Sequence, residues 1–145
     1  MTKPVDVLLT IRSRQQFRDE KPETTKLLTE GTMRRDGETV ELAYEESELT
    51  GLSGTTTTFR MAPQRVELER RGKVSSRMVF EPGVEDRSLY DMGFGALMIA
   101  VRAEKVRLDF NDNGGSASVS YTIDIEGQAA GRIDYRIDVR KKQTQ

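Results

Sequence analysis

Few side chains in this chain can do chemistry, and their types narrow that chemistry sharply. The sequence holds no His and no Cys. That removes thiolate nucleophiles, Ser-His triads, disulfides, iron–sulfur clusters and ordinary zinc or haem ligation. General acid–base work near neutral pH would fall to a perturbed carboxylate, Lys or Tyr, and no carboxylate pair stands out by its spacing. The expectation is a non-enzymatic protein with no cofactor and no metal. The polar residues worth following are picked out by parity instead. Arg70 shares a face with Val66 and Leu68, while Glu67, Glu69 and Arg71 point the other way. Glu46 continues the face of Val40, Leu42 and Tyr44. If these faces line a barrel, Glu46 and Arg70 lie inward near a strand end, where they can orient a ligand's polar head. The competing arrangement leaves both at a wet rim or paired with each other, because a buried charge needs a partner or water. Met78, Phe80, Tyr121 and Tyr135 complete the candidate interior and mouth.

Other motifs have plainer explanations. Asp109-Phe110-Asn111-Asp112-Asn113-Gly114 matches the opening of an EF-hand calcium loop, but the twelfth position is Ser120 instead of a bidentate Glu. Both flanks read as strands, so a polar hairpin loop is expected. Met92-Gly93-Phe94-Gly95 lacks the third Gly and the βαβ context of a dinucleotide fingerprint, and is expected to mark a bulge or a sharp bend. Asp36, Glu38, Glu41, Glu45, Glu46 and Glu48 form an acidic block. Arg60, Arg65, Arg70, Arg71, Lys73 and Arg77 form a basic one, diluted by Glu67 and Glu69. Aromatic interleaving is nearly absent from the basic block, and the formal net charge is −1. Nucleic-acid binding is therefore not expected, and the two blocks are read as opposite charges on neighbouring strands.

The elements that position these residues follow from a period of two. Ala117, Val119, Tyr121, Ile123 and Ile125 alternate with Ser118, Ser120, Thr122 and Asp124. Ile133, Tyr135, Ile137 and Val139 alternate with charged residues. Such alternation puts apolar side chains on one face of a strand and polar ones on the other. Val5, Val7, Leu9 and Ile11 open the chain in the same way. A polar turn is expected over 15–22, a strand over 24–35, and a tight turn at Asp36-Gly37. Gly-containing breaks then separate further short strands, with 83–95 as the longest irregular stretch. About ten strands in 145 residues, with no linker or repeat, predict one all-β domain spanning 1–145. Its fold is expected to be a single antiparallel up-and-down barrel of about eight to ten strands with little helix.

Several short motifs recur in order along nearly the whole chain: Tyr44-Glu45-Glu46, Thr50-Gly51, Arg70-x-Gly72, Met78-x-Phe80, Tyr90, Phe94-Gly95 and Val119-x-Tyr121. In these the chain resembles the bacterial YwiB-like proteins, a family of unknown function. The resemblance implies a calycin-like, lipocalin-type β-barrel and transfers no activity or catalytic residue.

A barrel of this size is either filled by side chains or holds one small ligand. The expected function is binding of a small apolar or amphipathic molecule in the interior. The alternative is a filled interaction module acting through its charged surface or a dimer face. Ala96–Val101 is apolar on both faces and needs an outside cover, supplied by residues 83–95 or by a second copy in a homodimer. No stretch approaches the roughly 20 apolar residues that span a bilayer. The opening residues also lack a signal peptide's apolar run. A cytoplasmic protein without membrane contact is expected.

Overall fold

The computed structural model describes residues 3–142. Alternating apolar and polar residues, broken by Gly, Pro, Asn and Asp, give ten strands in chain order. They are β1 (Val5–Phe17), β2 (Glu23–Asp36), β3 (Thr39–Glu45), β4 (Thr56–Ala62), β5 (Arg65–Arg71), β6 (Ser76–Phe80), β7 (Glu85–Asp91), β8 (Ala96–Asn111), β9 (Gly114–Ile125) and β10 (Gln128–Lys141). One sheet holds them in the order β6-β5-β4-β3-β2-β1-β10-β9-β8-β7. Every neighbour in that order is also a neighbour in sequence, apart from β1 and β10. These two strands pair antiparallel from Val7 opposite Lys141 to Phe17 opposite Gly131.

The sheet curls until its two edges meet, so the fold is a nearly closed up-and-down antiparallel barrel. The seam between β6 and β7 is not a full ladder. Ser75 and Asp91 exchange two backbone hydrogen bonds of 2.8 Å. Farther along, the side chain of Asp86 replaces a strand carbonyl: its Oδ2 accepts the Val79 N–H at 3.0 Å. The Gly83 N–H donates to the Ala103 carbonyl at 2.9 Å. These contacts occupy edge groups that would otherwise be open to another strand.

The interior is filled through its middle by Leu9, Leu42, Phe59, Met61, Val66, Phe80, Val101, Val119 and Ile137, all buried. Each large aliphatic side chain so buried contributes roughly 1.5–3 kcal/mol. Parity holds along most strands and breaks once in β8. Ile99, Val101 and Ala103 face inward, and then Val106, Leu108 and Phe110 do. Glu104 is the extra residue of a bulge between Ala103 and Lys105, so the inward set moves from odd to even positions.

Three local expectations need correction. Residues 83–95 are not irregular, because Glu85–Asp91 is β7, with Asp86, Ser88 and Tyr90 turned inward. Their polar types hid the strand. That segment also lies edge to edge with β8 and so does not cover its outer face, where Leu89 and Met98 stand opposite each other and exposed. Met92–Gly95 does form the expected sharp bend, the β7–β8 hairpin turn, closed by the Met92 N–H on the Gly95 carbonyl at 2.9 Å. Finally, β1 runs on through Gln15 to Phe17 before the chain turns.

The calcium-like segment forms the β8–β9 hairpin. The Asn113 N–H donates to Asn111 Oδ1 at 2.8 Å, and Asp112 is bound by Arg35. Gly114 is required there: a Cβ would lie 2.2 Å from the Val139 carbonyl oxygen. Among the described residues no cluster of three or more carboxylates could hold a metal. The charge blocks meet across strands on the outer face. Arg60 lies 3.3 Å from Glu41 and 3.2 Å from Glu69, and Arg77 lies 2.8 Å from Glu67. The hydrogen bond from Arg77 holds the Glu67 carboxyl below the usual Glu range. No helix among the described residues is long and apolar enough to cross a membrane.

The seam gives a direct test. Asp86→Ala leaves the Val79 N–H without its charged acceptor and should cost about 1–3 kcal/mol in urea unfolding. Asp86→Asn, which keeps an acceptor, should cost less. Equal stability of wild type and Asp86→Ala would show that the side chain does not hold the seam.

Candidate ligand-binding site

The functional candidates converge at the end of the barrel where β1 turns into β2, β3 into β4 and β5 into β6. Two inward rows of side chains meet there. One row crosses β3 to β6: Tyr44 stands opposite Thr57, Thr57 opposite Arg70, and Arg70 opposite Ser76. The small Thr57 and Ser76 on either side of Arg70 leave its guanidinium room to lie within the barrel. The other row crosses β10 to β2: Tyr135 stands opposite Ser13, and Ser13 opposite Thr25. Glu46 lies just past the end of β3 and keeps that strand's parity, because its N–H still donates to the Thr55 carbonyl at 2.8 Å. The chain then turns away. Ser47 Oγ accepts the Leu49 N–H at 3.2 Å, capping a single 3-10 turn over Glu48–Thr50 that ends at Gly51, with φ of 76°. Glycine suits that left-handed position.

The Glu46 side chain is 2% exposed and that of Arg70 17%, with Arg70 Nε 3.9 Å from Glu46 Oε2. Thr57 donates its hydroxyl to the same Oε2. The Tyr44 phenol feels Glu46 on one side and Tyr135 on the other. Ser13 and Thr25 share a hydroxyl–hydroxyl bond of 2.7 Å. Among the described residues at this end of the barrel, Glu46 Oε1, Arg70 Nε and Ser76 Oγ are buried without a hydrogen-bond partner. Tyr44, Glu46, Arg70 and Tyr135 line a cavity of about 750 Å³, together with Ile11, Gln15, Leu27, Leu49 and Leu52.

The tyrosines report the electrostatics of this space. Burial raises the pKa of Tyr44, and the neighbouring Glu46 charge raises it further. Burial does the same to Tyr121 and Tyr135, each reinforced by a neighbouring phenol. The Arg70 guanidinium opposes the shift at all three. One cation therefore acts on three phenols.

Of the residues expected from the sequence, Tyr44, Glu46, Arg70 and Tyr135 line one cavity. Met78, Phe80 and Tyr121 also point inward, but they belong to the packed interior. Phe80 and Tyr121 stack with ring centroids 4.5 Å apart. Glu46 and Arg70 face inward and are paired with each other, as the competing arrangement expected, with Arg70 Nε 3.9 Å from Glu46 Oε2. Ser13, Gln15 and Thr57 were not anticipated, nor were Leu49 and Leu52 on the rim. Ser13 and Gln15 continue the odd-numbered face of β1, a signal present in the sequence. Thr57 becomes meaningful only once register sets it opposite Arg70.

Together the fold and this cavity define a class: a nearly closed antiparallel barrel, packed at its centre and polar at one mouth. A family model described as a domain of unknown function (DUF1934) matches residues 9–137, and the chain belongs to that family. Among solved structures, the fold is similar to that of the ywiB protein from Bacillus subtilis. The TM-score is 0.87, at 21% identity over 98% of this chain and 96% of that one. No curated protein matches the chain.

The raised phenol values have a pH consequence. Unfolded Tyr ionises near pH 10, whereas Tyr44, Tyr121 and Tyr135 stay protonated in the folded protein above that point. Their contribution to stability is complete below about pH 10 and declines as the pH rises beyond it. Spectrophotometric titration should show these three phenols ionising together with loss of the fold, followed by circular dichroism. Ionisation of all the tyrosines near pH 10 in a still-folded protein would contradict their burial.

Proposed function

We propose that this protein is a non-enzymatic barrel that binds a small amphipathic molecule at the mouth floored by Glu46 and Arg70. One observation carries the reading. Tyr44, Glu46, Arg70 and Tyr135 line one cavity of about 750 Å³ together with Ile11, Leu27, Leu49 and Leu52, so a few polar groups stand within an otherwise largely apolar space. That size lies within the usual range for small-molecule sites, whose few placed polar groups fix orientation. The calycin-like comparison belongs to this proposal, supported by the single closed meander. Site candidates remain Tyr44, Glu46, Arg70 and Tyr135 at the mouth, with Met78, Phe80 and Tyr121 supporting them from the interior.

An aqueous, cytoplasmic setting is part of the same reading. The outer face carries the Arg60 and Arg77 ion pairs while the interior is aliphatic. A membrane-spanning barrel has the reverse arrangement. Native mass spectrometry of protein purified without detergent should reveal a co-purified small mass that is lost on denaturation. The bare protein mass in every preparation would count against the proposal.

A second reading rests on a different observation. Leu89 and Met98 are exposed and directly opposed on the outer face of β7 and β8, where a second copy could pack. Sedimentation velocity should then show a concentration-dependent dimer that Met98→Glu disperses. A monomer at every concentration would remove this reading.

A further inference from the structure

We infer that the occupant of the mouth is an extended peptide. It pairs its backbone with an uncovered edge of β2 and sends one apolar side chain into the cavity. The inference rests on the reading of that cavity as a binding site and adds the chemical class of the ligand.

The edge comes from unequal strand lengths. β2 is an inner strand of the sheet, yet its ladder with β3 covers only Thr32–Asp36. On its other side it pairs with β1 from Glu23 to Met33. Which backbone groups point outward follows from the next ladder. The Arg18 N–H donates to the Ala130 carbonyl, and the Lys142 N–H to the Asp6 carbonyl. The even residues of β1 therefore bond β10, and its odd residues bond β2. Those odd residues stand opposite Thr25, Leu27 and Thr29. Thr24, Lys26 and Leu28 thus turn their N–H and C=O groups away from β1. No hydrogen bond among the described residues reaches those groups. Such a row is a template for one more strand.

The cavity lies along that edge. Side chains alternate across a strand, so Leu27 faces inward while Lys26 and Leu28 face outward. All three nevertheless line the same cavity. A space that touches both faces of a strand must wrap round its backbone edge. Across the gap stand Leu49, Thr50 and Leu52, from the turn after β3. A gap framed in this way suits a single strand, set about 4.8 Å from β2. A second copy suits it poorly. Two copies paired antiparallel, each clear of the other's β3, would set Lys26 against Lys26, and like charges directly opposite are destabilising.

The register also states what the peptide carries. Its residue opposite Leu27 points into the cavity, with Ile11 and Tyr135 among the walls, and is apolar. A second apolar residue lies on the outer face opposite Leu28, which is 68% exposed. An acidic residue belongs opposite Lys26. That lysine is exposed, stands across from Arg12 and has no ion pair among the described residues.

Isothermal titration calorimetry with the capped peptide Ser-Val-Leu-Glu-Thr is the test. Bound antiparallel, its Val, Leu and Glu lie opposite Leu28, Leu27 and Lys26. Methylating the Val or the Glu backbone nitrogen removes a donor aimed at β2 and should weaken binding about tenfold. Methylating the Leu nitrogen, which points away from β2, should change affinity less than about threefold. A Lys in place of the peptide's Glu should weaken binding about threefold, and Lys26→Glu should restore it. Amide exchange at Thr24, Lys26 and Leu28 should be fast in the free protein and slow once the peptide is bound. Equal loss from all three methylations overturns the inference, as does exchange at those amides that binding does not change. Either result leaves the cavity standing as a binding site. Failure of the peptide to bind also overturns the inference. The wider reading then survives if native mass spectrometry finds a co-purified small molecule, and falls with it if only the bare protein is found.

Discussion

The structure depends on the pairing of its first strand with its last. β1 and β10 are joined by an unbroken register from Val7–Lys141 to Phe17–Gly131. This is the one ladder that chain order alone does not supply. All the others are hairpins between consecutive strands. Closing a loop of this length costs conformational entropy that rises only slowly with length, and the paired backbone and the apolar face beneath it offset that cost. With β1 and β10 joined, the meander has only two free edges, at β6 and β7, and the right-handed twist of the sheet brings those edges together. The Asp86–Val79 bond and the Ser75–Asp91 pair then finish the seam.

Closure also makes the polar mouth. Without the β1–β10 ladder, Tyr135 and Ser13 would not share a row. With it, two short rows of polar side chains face each other across a space ringed by Leu and Ile. A buried ion pair is weak evidence of a stabilising contact, since desolvation can exceed the attraction gained. Glu46 and Arg70 are better understood as a preorganised pair. Thr57 holds the carboxylate through its hydroxyl, and the guanidinium lies beside it.

Much of this was legible in the sequence, for a physical reason: a period of two reports directly which side of a strand is dry. It identified the inward faces of β1, β3, β5, β9 and β10, and it placed Tyr44, Glu46, Arg70 and Tyr135 on the inside. It failed where the period carried no contrast. In β7 the inward residues are Asp86, Ser88 and Tyr90, so the strand read as irregular. In β8 the Glu104 bulge reversed parity, which a pattern cannot show without its partner strand. Parity also says nothing of depth along the barrel axis. That is why Met78, Phe80 and Tyr121 could not be separated from the mouth residues, and why Thr57 was overlooked.

The central claim is that the cavity lined by Tyr44, Glu46, Arg70 and Tyr135 holds a small amphipathic molecule. A crystal structure of protein purified without detergent tests it most directly. The account predicts continuous density for a bound molecule within that cavity. Ordered water alone in the cavity would contradict it.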